Sequence, residues 1–280
     1  MVNNETKNWG FAEEERFIGF MPELAKEVGK VVGVNDNQPV VSTFDCVNNG
    51  VQQMETISVY DIMIETEDVP DGVATVEELK EAIAQGGDVT LGETMVLDSA
   101  LVFNNSVDVK LNLNGETIEN ASVVDGFSTG LQVENGVLTI EGEGTVKTIA
   151  TSPDDYSMAV WARGGDVKIY GGTFMNEGDS TDLIYANGGG NVYIYGGVFI
   201  PAGPASGEAN GTKNPYTALN VKDSDYKSGK SNIFVYGGKF YNFDPSNNVS
   251  EGANTNFVVE GYKVVESVEG TDKVYTVIPE

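Results

Sequence analysis

A chain of 280 residues with 43 acidic and 16 basic side chains carries a formal charge of −27; such a surface repels nucleic-acid phosphates and anionic membranes, and neither is expected as a partner. The chain holds no histidine, which removes the commonest general base, triad member and metal ligand. A single cysteine, Cys46, excludes an intrachain disulfide, and no run of about 18 apolar residues is present to cross a bilayer.

The start, Met1-Val2-Asn3-Asn4-Glu5, is polar and acidic. It lacks the basic and apolar blocks of a secretory signal, so synthesis in a cytoplasm is expected. Trp9, Phe11, Phe17, Ile18, Phe20 and Met21 crowd one short stretch. Pro22 is placed to open a short helix carrying Leu24, Val28 and Val31 on one side, with Gly33 to end it. Strand-like runs follow at 39–44 and 57–64, and Asn48-Asn49-Gly50 offers a turn between them. Residues 1–72 are few and their aromatics do not suggest a self-sufficient core; Trp9, Phe11, Phe17 and Phe20 are expected to attach the chain to another protein, with a compact independent cap as the alternative.

Val69-Pro70-Asp71-Gly72 punctuates a boundary, and a short helix is expected over 73–87. Thr75-Val76-Glu77-Glu78 has the spacing of a capping box, Val76, Leu79, Ala82 and Ile83 form an apolar stripe, and Gly86-Gly87 stop it. Placed before a run of strands, such a helix is suited to cover their open edges.

From 88 to about 245 one octet repeats. It reads Leu111-Asn112-Leu113-Asn114-Gly115-Glu116-Thr117-Ile118, then Val167-Lys168-Ile169-Tyr170-Gly171-Gly172-Thr173-Phe174. It returns as Val192-Tyr193-Ile194-Tyr195-Gly196-Gly197-Val198-Phe199 and Ile233-Phe234-Val235-Tyr236-Gly237-Gly238-Lys239-Phe240, with a version one residue longer at Leu138–Val146. First positions lie 27, 29, 25 and 41 residues apart, a solenoid period with one long insertion. Period-two alternation sends 167 and 169 one way and 168 and 170 the other. A second strand precedes each octet, with Leu131, Val160, Ile184 and Leu219 inward and Val133, Ala162, Ala186 and Val221 beside them. No turn can bury its own apolar face, so each needs a copy above and below. The expected fold is all-β: a right-handed parallel β-helix (solenoid) with a small mixed N-terminal attachment segment, an N-terminal capping helix and, over 246–280, a C-terminal β cap in which Phe257 to Glu266 and Lys273 to Ile278 form a hairpin. Residues 151–157 and 201–215 are expected as surface loops.

Glu77-Glu78-Leu79-Lys80-Glu81-Ala82-Ile83, Gly86-Gly87-Asp88-Val89-Thr90-Leu91 and Leu111-Asn112-Leu113-Asn114-Gly115 resemble the opening of pectate-lyase-like right-handed β-helix proteins of gut bacteria and their phages. Val259-Glu260-Gly261-Tyr262-Lys263-Val264-Val265 with Val274-Tyr275-Thr276-Val277 is similar to a short β ending in that group. The resemblance spans about residues 75–280. It implies a virion structural protein: a homotrimeric head or tail fibre, or a capsid decoration protein, made in the host cytoplasm. Residues 1–72 would dock on other virion proteins while the coil displays a surface for adhesion to a host-surface or mucus glycan.

The chemistry is weighed against that reading. Pectate lyases use acidic calcium ligands and a basic residue, but no acidic trio lines up with Arg163. Tailspike hydrolases use paired carboxylates. Asp154, Asp155, Glu177, Asp179 and Asp182 fall on successive turns, as 43 acidic residues scattered along a coil allow without catalysis. Asp223-Ser224-Asp225 and Asp244-Pro245-Ser246-Asn247 lack the ligand positions of a calcium loop, and Gly188-Gly189-Gly190 precedes no helix to cradle phosphate. No catalytic residue, metal or cofactor is expected, and a polysaccharide-degrading β-helix enzyme remains the alternative. Outward aromatics are the stronger signal: Trp161 and Tyr185, flanked by Gln132 and Asn220, for a sugar ring or as a cross-strand ladder covered by a loop or subunit, and Tyr193 over Phe234 for burial between subunits, with ligand binding as the alternative, beside a third ladder of Tyr170, Tyr195 and Tyr236.

Overall fold

Each octet of the repeat makes two strands with a Gly corner between them, and the strand that precedes it makes a third. The computed structural model describes residues 39–48, 51–60, 72–124, 126–149, 156–177, 182–202 and 217–280. The chain divides into two units, Met1–Val69 and Pro70–Glu280. In the first, β1 (Pro39–Asn48) and β2 (Val51–Tyr60) pair antiparallel with Asn48 opposite Val51, longer strands than the 39–44 and 57–64 read from sequence. Trp9, Phe11, Phe17 and Phe20 and the helix expected after Pro22 lie outside the described residues.

The second unit opens with α1 (Val76–Gln85). Thr75 Oγ1 accepts from Glu78 N at 3.2 Å, and Glu78 Oε2 accepts from Thr75 N at 3.1 Å and Ala74 N at 2.8 Å. These backbone donors hold the Glu78 carboxyl below its ordinary value. Leu79 and Ile83 are buried and belong to the same apolar cluster as the strands that follow. Gly86, at φ +79°, ends the helix.

The chain then passes five times, in the same order, through three sheets. The first sheet collects β3 (Gly87–Thr90), β6 (Val109–Asn112), β9 (Val137–Glu141), β12 (Asp166–Ile169), β15 (Val192–Ile194) and β18 (Ile233–Val235). The second collects β4 (Met95–Leu97), β7 (Thr117–Asn120), β10 (Thr145–Ile149), β13 (Thr173–Glu177), β16 (Val198–Ile200) and β19 (Gly238–Tyr241). The third collects β5 (Leu101–Phe103), β8 (Phe127–Val133), β11 (Tyr156–Arg163), β14 (Asp182–Asn187) and β17 (Thr217–Val221). All these pairings are parallel. This is a mostly β chain whose parallel sheets are compatible with a β-solenoid. Between β17 and β18 lies the short α2 (Asp223–Ser228). Beyond β19, β20 (Tyr262–Glu269) and β21 (Asp272–Pro279) form a hairpin, and β21 pairs antiparallel with β19. Phe257, read from sequence as the start of that hairpin, instead lies in the preceding loop, 3% exposed.

Register builds the interior in columns. Leu111, Ile140, Ile169, Ile194 and Val235 line the first sheet, and Leu131, Val160, Ile184 and Leu219 the third. Ile118, Val146, Phe174, Phe199 and Phe240 line the second. All are fully buried, each contributing about 1.5–3 kcal/mol of burial. Phe174, Phe199 and Phe240 stack at centroid spacings of 5.3 and 4.6 Å. At the corner between the second and third sheets the column turns polar. Asn120, Thr148 and Asn176 are in register and buried. Asn120 Nδ2 donates to Thr129 O at 2.7 Å, Asn176 Nδ2 donates to Ser157 O at 3.1 Å, and Thr148 Oγ1 shares a hydrogen bond with Ser157 Oγ at 2.7 Å. These three side chains tie the corner to β8 and β11, so their own buried polar atoms find partners there.

The paired glycines of the octet divide two tasks. A Cβ on Gly196 would sit 2.4 Å from Tyr170 O, and one on Gly237 2.3 Å from Tyr195 O, so the first glycine lets successive turns stack at strand spacing. The second, as in Gly197 and Gly238 at φ +101° and +105°, takes a left-handed backbone that closes the corner.

Candidate functional site

Outward residues of the third sheet gather the side chains best placed to meet a ligand. Register sets Gln132, Trp161, Tyr185 and Asn220 in one row, as the alternation predicts, over inward Leu131, Val160, Ile184 and Leu219. Two aromatics that the sequence reading missed complete the group. Phe127 and Tyr156 are register partners at the starts of β8 and β11, their rings 5.6 Å apart, and Phe127 stacks on Trp161 at 5.5 Å. Each stands four residues before the inward Leu131 or Val160, a shared offset that aligning the strand columns would have exposed.

Trp161 is the covered centre of this group. It is 8% exposed, with Phe127 against it, Tyr185 tilted at 6.1 Å and the Arg163 guanidinium 4.8 Å above the ring. Its Nε1 donates to Asn187 Oδ1 at 3.1 Å. Arg163 lies 3.6 Å from Glu134, which also accepts from Gln132 Nε2 at 2.8 Å. The accessible rings are Phe127 and Tyr156, about a third exposed, with Tyr185 half-buried beside them. The described residues 121–124 lead from β7 of the second sheet toward β8 of the third.

Carboxylates flank the row. Asp182 begins β14, 5% exposed, and accepts from Thr217 Oγ1 at 2.9 Å and Asn220 Nδ2 at 2.8 Å. Burial raises its carboxyl above the ordinary value, against the pull of those two donors. Glu251 Oε1 accepts from Val221 N at 2.6 Å, while its Oε2 is buried without a partner in the structure. Burial first, then the charges of Asp182, Glu251 and Asp225, push the Tyr185 phenol up to about 12.

The other acidic residues singled out from sequence have structural tasks. Glu177 ends β13 and, with Glu119, holds Lys147 at 3.1 and 3.4 Å. Asp223-Ser224-Asp225 open α2, where Asp225 Oδ2 accepts from Gly188 N at 2.7 Å and Ser231 Oγ accepts from Gly189 N at 2.9 Å. The Gly188–Gly190 stretch is thus a turn tied to α2. Asp244 Oδ1 accepts from Ser246 N and Oγ at 2.9 and 2.7 Å. Asp154, Asp155 and Asp179 lie outside the described residues. Among the described residues no three acidic or cysteine side chains gather to hold a metal ion, and no helix is long and apolar enough to cross a membrane.

On the first sheet, Tyr193 stacks on Phe234 at 5.2 Å, and Tyr195 lies between Tyr170 at 4.7 Å and Tyr236 at 4.8 Å. The planes of this tyrosine ladder are within 11–14° of each other, so the rings cover one another's faces and present edges and hydroxyls outward. Such a ladder is a good cross-strand clamp.

No family model, curated protein or solved structure matches the chain.

Proposed function

We propose that this chain is a non-enzymatic structural and adhesive protein: a right-handed parallel β-helix, closed at one end by α1 and at the other by the β20–β21 hairpin, that displays a glycan-binding face. In this reading it serves as a head or tail fibre or decoration of a phage particle. It docks on other virion proteins through residues 1–72 and assembles as a homotrimer, with the face of Tyr193 and Phe234 buried between subunits.

One observation carries the adhesive part. The aromatic group of Phe127, Tyr156, Trp161 and Tyr185 lies beside polar Gln132, Asn187 and Asn220 on the outward side of the third sheet. Aromatic rings with a few fixed polar groups suit the apolar face and hydroxyl rim of a sugar. The fold alone assigns no activity, and a polysaccharide-degrading enzyme stays the alternative.

The test is retention on immobilised bacterial-capsule and mucin glycans, with the intact chain against Phe127→Ala and Tyr156→Ala. Losing one accessible stacking ring lowers affinity by about tenfold, from roughly 1.4 kcal/mol. Unchanged retention in both variants, or binding to none of the glycans, removes the adhesive reading. Light scattering at micromolar concentration gives a trimer if the assembly is right, and a monomer defeats that part. Release of new reducing ends or unsaturated sugars would favour the enzyme.

A further inference from the structure

In the third sheet β17 is the last strand, and among the described residues no later strand pairs with it. The loop of residues 244–257 meets it instead. Asn248 and Thr255 exchange backbone hydrogen bonds at 3.0 and 2.9 Å, Thr255 Oγ1 accepts from Glu251 N at 3.1 Å, and Phe257 N donates to Pro245 O at 2.9 Å over a buried ring. This folded loop carries Glu251 to Val221 N at 2.6 Å, where the glutamate satisfies a donor on the edge strand. Its second oxygen is buried and accepts nothing in the structure.

The charges facing it are mostly of the wrong sign. From β14 comes Asp182 and from α2 Asp223, with Lys227 of α2 as the cation that acts on it. Tyr185 of β14 and Asp225 of α2 belong to the same neighbourhood, and Gly188 N holds the Asp225 carboxyl below its ordinary value and therefore ionised. A neutral carboxyl fits this place. A carboxylate there leaves one buried oxygen charged, unbonded and opposed by like charge.

We propose that Glu251 is a pH-operated clasp: protonated, it closes residues 244–257 over the edge of β17, and ionised, it releases the loop and bares that edge. Burial, reinforced by Asp223 and Asp182 and opposed by Val221 N and Lys227, pushes its carboxyl from 4.5 up to about 7. A pKa raised in the closed state means that closure is favoured most below 4.5 and weakens as pH rises through 7. Between pH 6 and 8 those two values translate into a rise of up to about tenfold in the open-to-closed ratio. A bared strand edge is a template for pairing with another chain.

Hydrogen exchange of the intact chain, corrected for intrinsic rates, tests this at pH 6 and pH 8. Peptides spanning Val221 and residues 244–257 are expected to lose up to about tenfold in protection in the wild type. Peptides of β9 and β12 hold theirs, and Glu251→Gln, which keeps the acceptor for Val221 N without a charge, stays closed at both pH values. A loss spread over every strand, an equal response in the Gln variant, or no response in the wild type overturns the proposal. Should the Gln variant not fold, a carbon-13 titration of the Glu251 carboxyl decides: a midpoint near 7 supports the clasp, and one below about 5.5 overturns it.

Discussion

Phe199 and Tyr195 stand four residues apart in one turn, each clamped between two aromatic rings, and differ chiefly in which side of the wall they occupy. Phe199 is fully buried between Phe174 at 5.3 Å and Phe240 at 4.6 Å. Tyr195 is 39% exposed between Tyr170 at 4.7 Å and Tyr236 at 4.8 Å. Truncating a buried Phe to Ala costs about 3–5 kcal/mol, because the transfer term and the cavity add. The two ring pairs account for about 1–3 kcal/mol of that. Tyr195→Ala loses its two pairs but opens no closed cavity, so about 1–2 kcal/mol is expected. Guanidinium unfolding followed by circular dichroism compares the midpoints, which stay informative where a repeat array departs from two-state behaviour. Hydrogen exchange adds a local readout, since Phe199→Ala should loosen β13 and β19 well before β6 and β7. Equal midpoint losses for the two variants, or a larger one for Tyr195→Ala, would refute the assignment of the phenylalanine column to the interior.

The remaining predictions concern the corners. Gly237→Ala places a Cβ 2.3 Å from Tyr195 O and forces two turns apart, so a loss above about 2 kcal/mol is expected. Gly229→Asn, at φ +70° in open space after α2, should cost under about 0.5 kcal/mol; thermal melts of both variants check the contrast. Asn176→Ala removes a donor to Ser157 O and the acceptor of Ala202 N at 2.6 Å, so a buried backbone amide loses its side-chain acceptor. Denaturant unfolding should show a loss of about 1–3 kcal/mol.

The legible part of this protein is what a period can encode. Alternation in each octet placed Leu111, Ile169, Ile194 and Val235 inside, and the same rule named the row of Gln132, Trp161, Tyr185 and Asn220. Thr75 and Glu78 announced their helix start because a capping box is local chemistry. The tasks of the two glycines were less visible: only contact with the turn below shows that the first clears a carbonyl, and only the folded backbone shows that the second takes positive φ.

The binding face was half legible. Trp161 and Tyr185 stood out by column, but their exposure depends on neighbours that an alternation rule does not rank. Phe127, 29 residues earlier than Tyr156, becomes its neighbour only through pairing of β8 with β11, and it leaves Trp161 covered. The acidic residues show the same division. Sequence could only count carboxylates along a coil, whereas folding buried Asp182 against Thr217 and Asn220 and tied Asp225 to Gly188. Glu251 drew no notice, because its partner Val221 lies 30 residues away across a loop.

By itself, then, the order of residues determined which side chains point inward, where each turn bends and that every turn needs a neighbour, since these follow from a two-residue period and from local backbone preference. The tertiary structure alone decided which outward rings remain accessible, which carboxylates lose their water and what covers the last strand. Burial and electrostatics depend on atoms brought together from distant turns, and a one-dimensional pattern carries no measure of that proximity.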